Sequence, residues 1–64
     1  MNPYLKAVEM KYEADIEVIQ VNLKNYLDNA VAVAEQPNIV QDIDDLVAAL
    51  ATAQEKLNTI QGMF

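Results

Sequence analysis

The side chains of this sequence that could do chemistry are ten carboxylates, four lysines, three tyrosines and the threonines Thr52 and Thr59. Serine, histidine and cysteine are absent. Nucleophilic catalysis requires a Ser, Cys, Thr or Lys side chain that a neighbouring base activates. Here the lysines stand among carboxylates at helical spacing, which favours their charged form. We therefore expect a non-enzymatic protein with no catalytic residues and no cofactor.

The carboxylates form two groups with a superficial likeness to metal ligands. These are Asp42, Asp44 and Asp45 in one group, and Glu9, Glu13 and Glu17 at four-residue steps in the other. A calcium loop requires alternate carboxylates, a central glycine and a closing glutamate, and the aspartates have no such glycine. A di-iron site in a helical bundle requires Glu-x-x-His pairs, and there is no His. We expect no metal site: the aspartates suit a helix start, and the glutamates suit a solvated face.

Net charge argues against two further classes of partner. The formal charge is −6 and arginine is absent, so the chain repels phosphate backbones and is not expected to bind nucleic acid. An acidic mimic of DNA remains an alternative, because carboxylates on a helix can imitate phosphates. No apolar run approaches the ~20 residues of a membrane span, and the N-terminus lacks the order of a signal peptide. The sequence predicts no membrane association and no secretion.

Size makes a protein partner the expected source of extra stability. The chain has 64 residues, which predicts a single domain over 1–64. A core of this size seldom supplies more than ~3–5 kcal/mol of net stability, and small proteins add disulfides, a metal or a partner chain. Disulfides and zinc are excluded by the lack of Cys and His. We expect an oligomer, or a component of a larger assembly.

The first half of the sequence has the pattern of one long helix, near 3–28. Asn2 is a favourable N-cap and Pro3 a favourable first helical residue. Apolar side chains then recur at steps of three and four, which is helical spacing. The predicted core residues of this helix are Leu5, Val8, Tyr12, Ile16, Ile19, Leu23 and Leu27. Three tyrosines, Tyr4, Tyr12 and Tyr26, are expected at the core edge with their hydroxyls in water.

The stretch 29–37 has two interpretations. Its alanines favour helix, whereas Val/Ala alternation suits an extended segment and Pro37 disfavours helix before it. If 29–37 is a loop, Asn29 can end the first helix in a left-handed conformation, and Val31 and Val33 plug the end of the hairpin. If the helix runs to residue 35 instead, its first turns have no partner. We favour the loop.

The second half predicts a helix near 38–61. Asn38 and Gln41 match a capping box, and Gly62 is a suitable helix stop. Its predicted core is an unbroken heptad pattern of Ile39, Ile43, Leu46, Leu50, Ala53, Leu57 and Ile60, continued by Phe64. Antiparallel pairing then sets Leu23 against Ile43, Ile16 against Leu50, Leu5 against Ile60 and bulky Tyr12 against small Ala53. The predicted fold is an all-α antiparallel two-helix hairpin.

A second apolar stripe follows the first helix. It consists of Ala7, Met10, Ala14, Val18 and Val21. At about 100° per residue this stripe lies roughly opposite the predicted core, so one partner helix cannot cover both. A weakly apolar exposed margin would explain it, since scattered surface apolar residues are normal. We favour an interface, formed with another copy or with a larger protein.

A stretch over residues 23–60 resembles short proteins encoded by tailed phages, including marine myoviruses of the T4-like type. It contains a helix end Tyr26-Leu27-Asp28-Asn29, a Val-containing loop that closes in Glu35-Gln36-Pro37, the pair Asp44-Asp45, and Lys56-Leu57. This chain has Ala30, Ala32 and Ala34 where the family carries Pro or Gly. The resemblance implies a phage setting, in the virion or in the host cytoplasm, and carries no catalytic residues.

Together these observations predict a protein–protein interaction component, specifically a small virion-associated structural or assembly protein that docks through the second stripe. The alternative is a regulatory binding module, an inhibitor or small chaperone that presents a helix to a client protein.

Overall fold

The computed structural model describes residues 2–29 and 38–63, which form two helices packed against each other. Helix α1 is Pro3–Asp28 and helix α2 is Ile39–Gln61. The predicted all-α hairpin is confirmed, and the helix bounds agree with the predicted ones to within a residue. The molecule is a rod of 49 × 14 × 12 Å. Neither described helix combines the length and the apolar character that a bilayer crossing requires.

The start of α1 follows the predicted cap. The side-chain Oδ1 of Asn2 accepts hydrogen bonds from the backbone N–H of Tyr4 at 2.8 Å and of Leu5 at 3.4 Å. Pro3 occupies the first helical position, where the missing N–H would have had no helical partner. The Asn2 side chain therefore supplies an acceptor for two backbone N–H groups that the first turn would otherwise leave without a partner.

The end of α1 differs from the predicted left-handed cap. Asn29 has φ −104° and ψ 14°, outside the left-handed region. Its backbone N–H and its side-chain Nδ2 both donate to the carbonyl of Asn25, at 3.2 and 2.7 Å. Because both donors already cover that carbonyl, no left-handed residue is required there. The two interpretations of the stretch after Asn29, and the placement of Val31 and Val33, fall on 30–37, outside the described residues.

The start of α2 lacks the predicted capping box. Asn38 has ψ 15° instead of the extended ψ that folds a cap side chain back over the helix, and its side chain makes no capping hydrogen bond. Gln41 donates instead to Asp45 at 2.8 Å. At the other end the N–H of Gly62 donates to the carbonyl of Asn58, so α2 ends at the predicted stop. Phe64 lies outside the described residues.

The contact between the helices is one layer deep. Ala53 and Ile60 are the buried apolar side chains, at 7% and 5% exposure, and no described side chain is fully buried. The other predicted core residues are half-buried, except one: Leu5, Val8, Tyr12, Ile16, Ile19, Leu23, Ile39, Ile43, Leu46, Leu50 and Leu57. The exception is Leu27, which is 51% exposed, so its assignment to the core is wrong.

A strict heptad explains the error at Leu27. Helix α2 buries side chains at alternating steps of four and three, and a paired helix must follow the same period. On α1 that period selects Leu5, Glu9, Tyr12, Ile16, Ile19, Leu23 and Tyr26. Tyr26 is accordingly half-buried where Leu27 is exposed, and Glu9, with 7% exposure, is a buried carboxylate in an otherwise apolar row.

Candidate functional site: an exposed apolar face of α1

The surface that α2 leaves uncovered is the predicted second stripe, here called the α1 outer face: Ala7, Met10, Ala14, Val18 and Val21. All five residues are exposed, and the three large ones retain 58%, 59% and 52% of their accessible surface. Steps of three and four keep them on one side of the helix. The structure therefore brings the predicted interface residues together on a single face that the hairpin itself does not bury.

Small residues of α2 open a hollow beside this face. The hollow has a volume of about 500 Å³, and its walls include Tyr12, Val18 and Ile19 from α1 and Ala49 and Ala53 from α2. Tyr12 and Ala53, which are predicted to face each other, both line this hollow. Val18 belongs both to the outer face and to the rim of the hollow. The lining is mostly apolar, which suits a packing contact with another side chain.

Three lysines of α1 lie within ion-pair distance of carboxylates on the same helix. The Nζ–carboxylate distances are 3.1 Å for Lys6–Glu9, 2.8 Å for Lys11–Asp15 and 3.4 Å for Lys24–Asp28. The hydrogen bond from Lys11 to Asp15 raises the pKa of Lys11 above its usual 10.5. The Lys11–Asp15 pair therefore favours the charged form of the Lys11 amine.

A hydrogen bond between Tyr26 and Asp42 joins the helices near one end of the hairpin. The Tyr26 hydroxyl donates to Oδ2 of Asp42 at 2.5 Å. Tyr26 lies at the expected core edge, and its hydroxyl also bonds Asp42 because the heptad turns Tyr26 toward α2. Donating this hydrogen bond to Asp42, helped by desolvation and by the negative charge of Asp42, raises the pKa of Tyr26 above its usual 10.0. This hydrogen bond, here called the clasp, links α1 to α2.

We expect the Tyr26 phenol to ionise above its usual pKa of 10.0 in an alkaline absorbance titration. Since its folded-state pKa is raised, the clasp contributes stability that is present below pH 10.0 and is lost as the pH rises through the higher folded value. Asp42→Asn should return the late transition to the ordinary range. Tyr4→Phe, at a residue that is 81% exposed, is the control that should leave the late transition in place. A titration curve that Asp42→Asn leaves unchanged would contradict the clasp.

The carboxylates of the described residues do not assemble into a metal site. No group of three acidic side chains in residues 2–29 and 38–63 converges closely enough to hold an ion. Asp42 accepts from Tyr26, and Asp45 accepts from Gln41. Within the same ranges no buried polar side-chain atom lacks a hydrogen-bond partner. The candidate functional site in the described part of the chain is therefore the α1 outer face.

Sequence reasoning placed Glu9 on a solvated face, which is wrong because Glu9 is 7% exposed. It placed Tyr26 at the core edge but did not predict its hydrogen bond to Asp42. The available signal was the regular four–three heptad of α2, which a paired α1 must match.

Comparison with protein-family models finds no matching family, and comparisons with curated proteins and with solved structures find no match.

Proposed function

We propose that this chain is a non-enzymatic protein–protein interaction component that docks through the α1 outer face. The observation that carries the proposal is the exposure of Met10, Val18 and Val21, each more than half open to solvent on one side of one helix. Fully burying an exposed side chain of this kind contributes roughly 1.5–3 kcal/mol, and each of these three has about half of that burial still to gain. That gain is large beside the ~3–5 kcal/mol of net stability usual for a chain of this size. A partner would therefore stabilise the hairpin substantially.

We further propose that the setting is a phage particle, in which the chain serves as a small structural or assembly protein. This part depends on the resemblance of residues 23–60 to short phage-encoded proteins, with Tyr26-Leu27-Asp28-Asn29 before the loop. A rod without a deep interior suits such a role, because it offers long side surfaces for contact and little room for a substrate. A regulatory module that presents α1 to a client protein would use the same face.

The test is incorporation into purified particles. Particles from cells that produce the unmodified chain, Val18→Glu or Gln20→Glu are collected on a density gradient, and the chain is quantified by mass spectrometry. Both substitutions add one negative charge at an exposed position of α1, but only Val18 belongs to the outer face. We expect Val18→Glu to lower incorporation about tenfold or more, since tenfold corresponds to about 1.4 kcal/mol. Gln20→Glu should be incorporated normally.

Two outcomes would overturn parts of the proposal. If the unmodified chain is missing from particles, the virion role is wrong. A soluble client that is retained in stoichiometric amount and is lost with Val18→Glu would then establish the regulatory module. If both variants are incorporated as well as the unmodified chain, the α1 outer face is not the contact surface.

A further inference from the structure

We propose that the α1 outer face binds the same face of a second copy of this chain, with the two α1 helices antiparallel, an inference that rests on the function proposed above. The dimer would be a four-helix assembly with the two α1 helices at its centre and the two α2 helices outside.

Surface area supports an interface of dimer size. The hairpin exposes 4790 Å². A compact monomer of 7.1 kDa would expose about 4,100 Å² by the usual scaling of surface with mass. The excess is close to the roughly 800 Å² that each partner contributes to a standard protein interface. The radius of gyration agrees, at 14.9 Å where a compact chain of this length has about 11 Å.

The order of residues along α1 fits antiparallel pairing. With the exposed residues Tyr4 and Lys11, which adjoin the outer face on one side, a heptad row can be traced: Tyr4, Ala7, Lys11, Ala14, Val18 and Val21. A two-fold axis between residues 12 and 13 sets Tyr4 against the second copy's Val21, Ala7 against its Val18, and Lys11 against its Ala14. The two inner pairings match a small side chain with a longer one. Layers built in this way interdigitate without leaving voids.

Charge selects the antiparallel orientation. Lys11 and Asp15 form a 2.8 Å ion pair at the edge of this row, close to the two-fold axis. In the antiparallel register Lys11 lies beside Asp15 of the second copy, so that four charges alternate in sign around the axis. Parallel pairing would instead set Lys11 against Lys11. Like charges directly opposed destabilise a helical pair.

Disulfide trapping tests the surface and the orientation together, because the natural chain has no Cys. The variant carries Ala7→Cys and Val18→Cys, whose positions lie about 16 Å apart along one helix and cannot bridge within a chain. Cleavage after lysine puts them in separate peptides, 7–11 and 12–24. After mild oxidation with diamide we expect a covalent dimer in which peptide 7–11 is linked to peptide 12–24. The matched control is Glu13→Cys with Gln20→Cys, which are exposed on α1 but off the row and should give little dimer.

The trapping experiment can contradict either the antiparallel orientation or the proposed surface. Links of 7–11 to 7–11 and of 12–24 to 12–24 would overturn the antiparallel orientation. Equal trapping of the control pair, or no trapping of either pair, would overturn the proposed surface.

Sedimentation of the unmodified chain measures whether it is a dimer. Charge variants at Lys11 and Asp15 test whether the proposed charge pairing holds the two copies together. We expect twice the monomer mass for the unmodified chain, at least tenfold weaker association for Lys11→Glu, and recovery when Asp15→Lys is added to it. The double variant restores opposite charges both within the helix and across the axis. A monomer at all concentrations would overturn the inference. If Val18→Glu still lowered particle incorporation of that monomer, the proposed function would stand and only the second copy would be the wrong partner.

Discussion

Ile60→Ala is expected to unfold a large fraction of this protein at room temperature. Among residues 2–29 and 38–63, Ile60 is the most buried, at 5% exposure. Truncating a buried isoleucine to alanine costs about 2–5 kcal/mol through lost burial and the cavity left behind. The whole chain is expected to have only ~3–5 kcal/mol of net stability, so the loss is of the same size as the total. Circular dichroism at increasing urea concentrations measures it.

Met63→Ala is the matched control for the truncation of Ile60. Met63 lies three residues further along the chain and is 63% exposed, so removing its side chain should change the unfolding midpoint little. Similar losses in the two variants would show that the helix end, and not the buried contact of Ile60, determines stability. No loss in either variant would mean that the packing of α2 on α1 contributes little to the fold.

Glu9→Leu is expected to stabilise the hairpin by about 1–3 kcal/mol, because it replaces a buried carboxylate with an apolar side chain in an apolar row. Glu9 is 7% exposed, and its one ion-pair partner among the described residues is Lys6 at 3.1 Å. The side chain of Lys6 is 53% exposed, so its amine remains solvated when the partner is removed. Thermal unfolding at several chain concentrations separates this gain from any change in association.

Glu13→Leu is the comparison for the substitution at Glu9. It makes the same chemical change on the same helix at an exposed position, where the gain in burial is small. Equal effects of the two variants would point to helix propensity as the cause. A loss of stability with Glu9→Leu would mean that the Lys6–Glu9 pair outweighs the burial of an apolar side chain, contrary to the prediction.

The sequence predicts the hairpin because its signals are local and agree with one another. Asn2 and Pro3 define the start of α1, Gly62 the end of α2, and the periods of three and four define the packed sides. The caps at Asn29 and Asn38 were predicted less well. Their backbone angles depend on how the chain enters and leaves each helix, and residue preferences alone do not determine that path.

The candidate site was predictable in its residues and not in its geometry. Periodicity alone shows that one neighbouring helix cannot cover both sides of α1, and the exposure of Met10, Val18 and Val21 agrees with that expectation. The hollow between Tyr12 and Ala53, and the clasp between Tyr26 and Asp42, depend on how far the helices are rotated about their axes. Apolar spacing leaves that rotation uncertain by about one residue, which is the difference between Tyr26 and Leu27.

The one-layer contact has a consequence for motion. In a rod that measures 14 × 12 Å across, each helix turn is in contact with water on one side and with a single neighbour on the other. A terminal turn can therefore open without disturbing the turns at the middle, since no side chain spans several layers. The end of α1 around Leu27, which is 51% exposed, should exchange its amide hydrogens much sooner than the end of α2 around Ile60, which is 5% exposed. The hairpin would then open first at its Leu27 end.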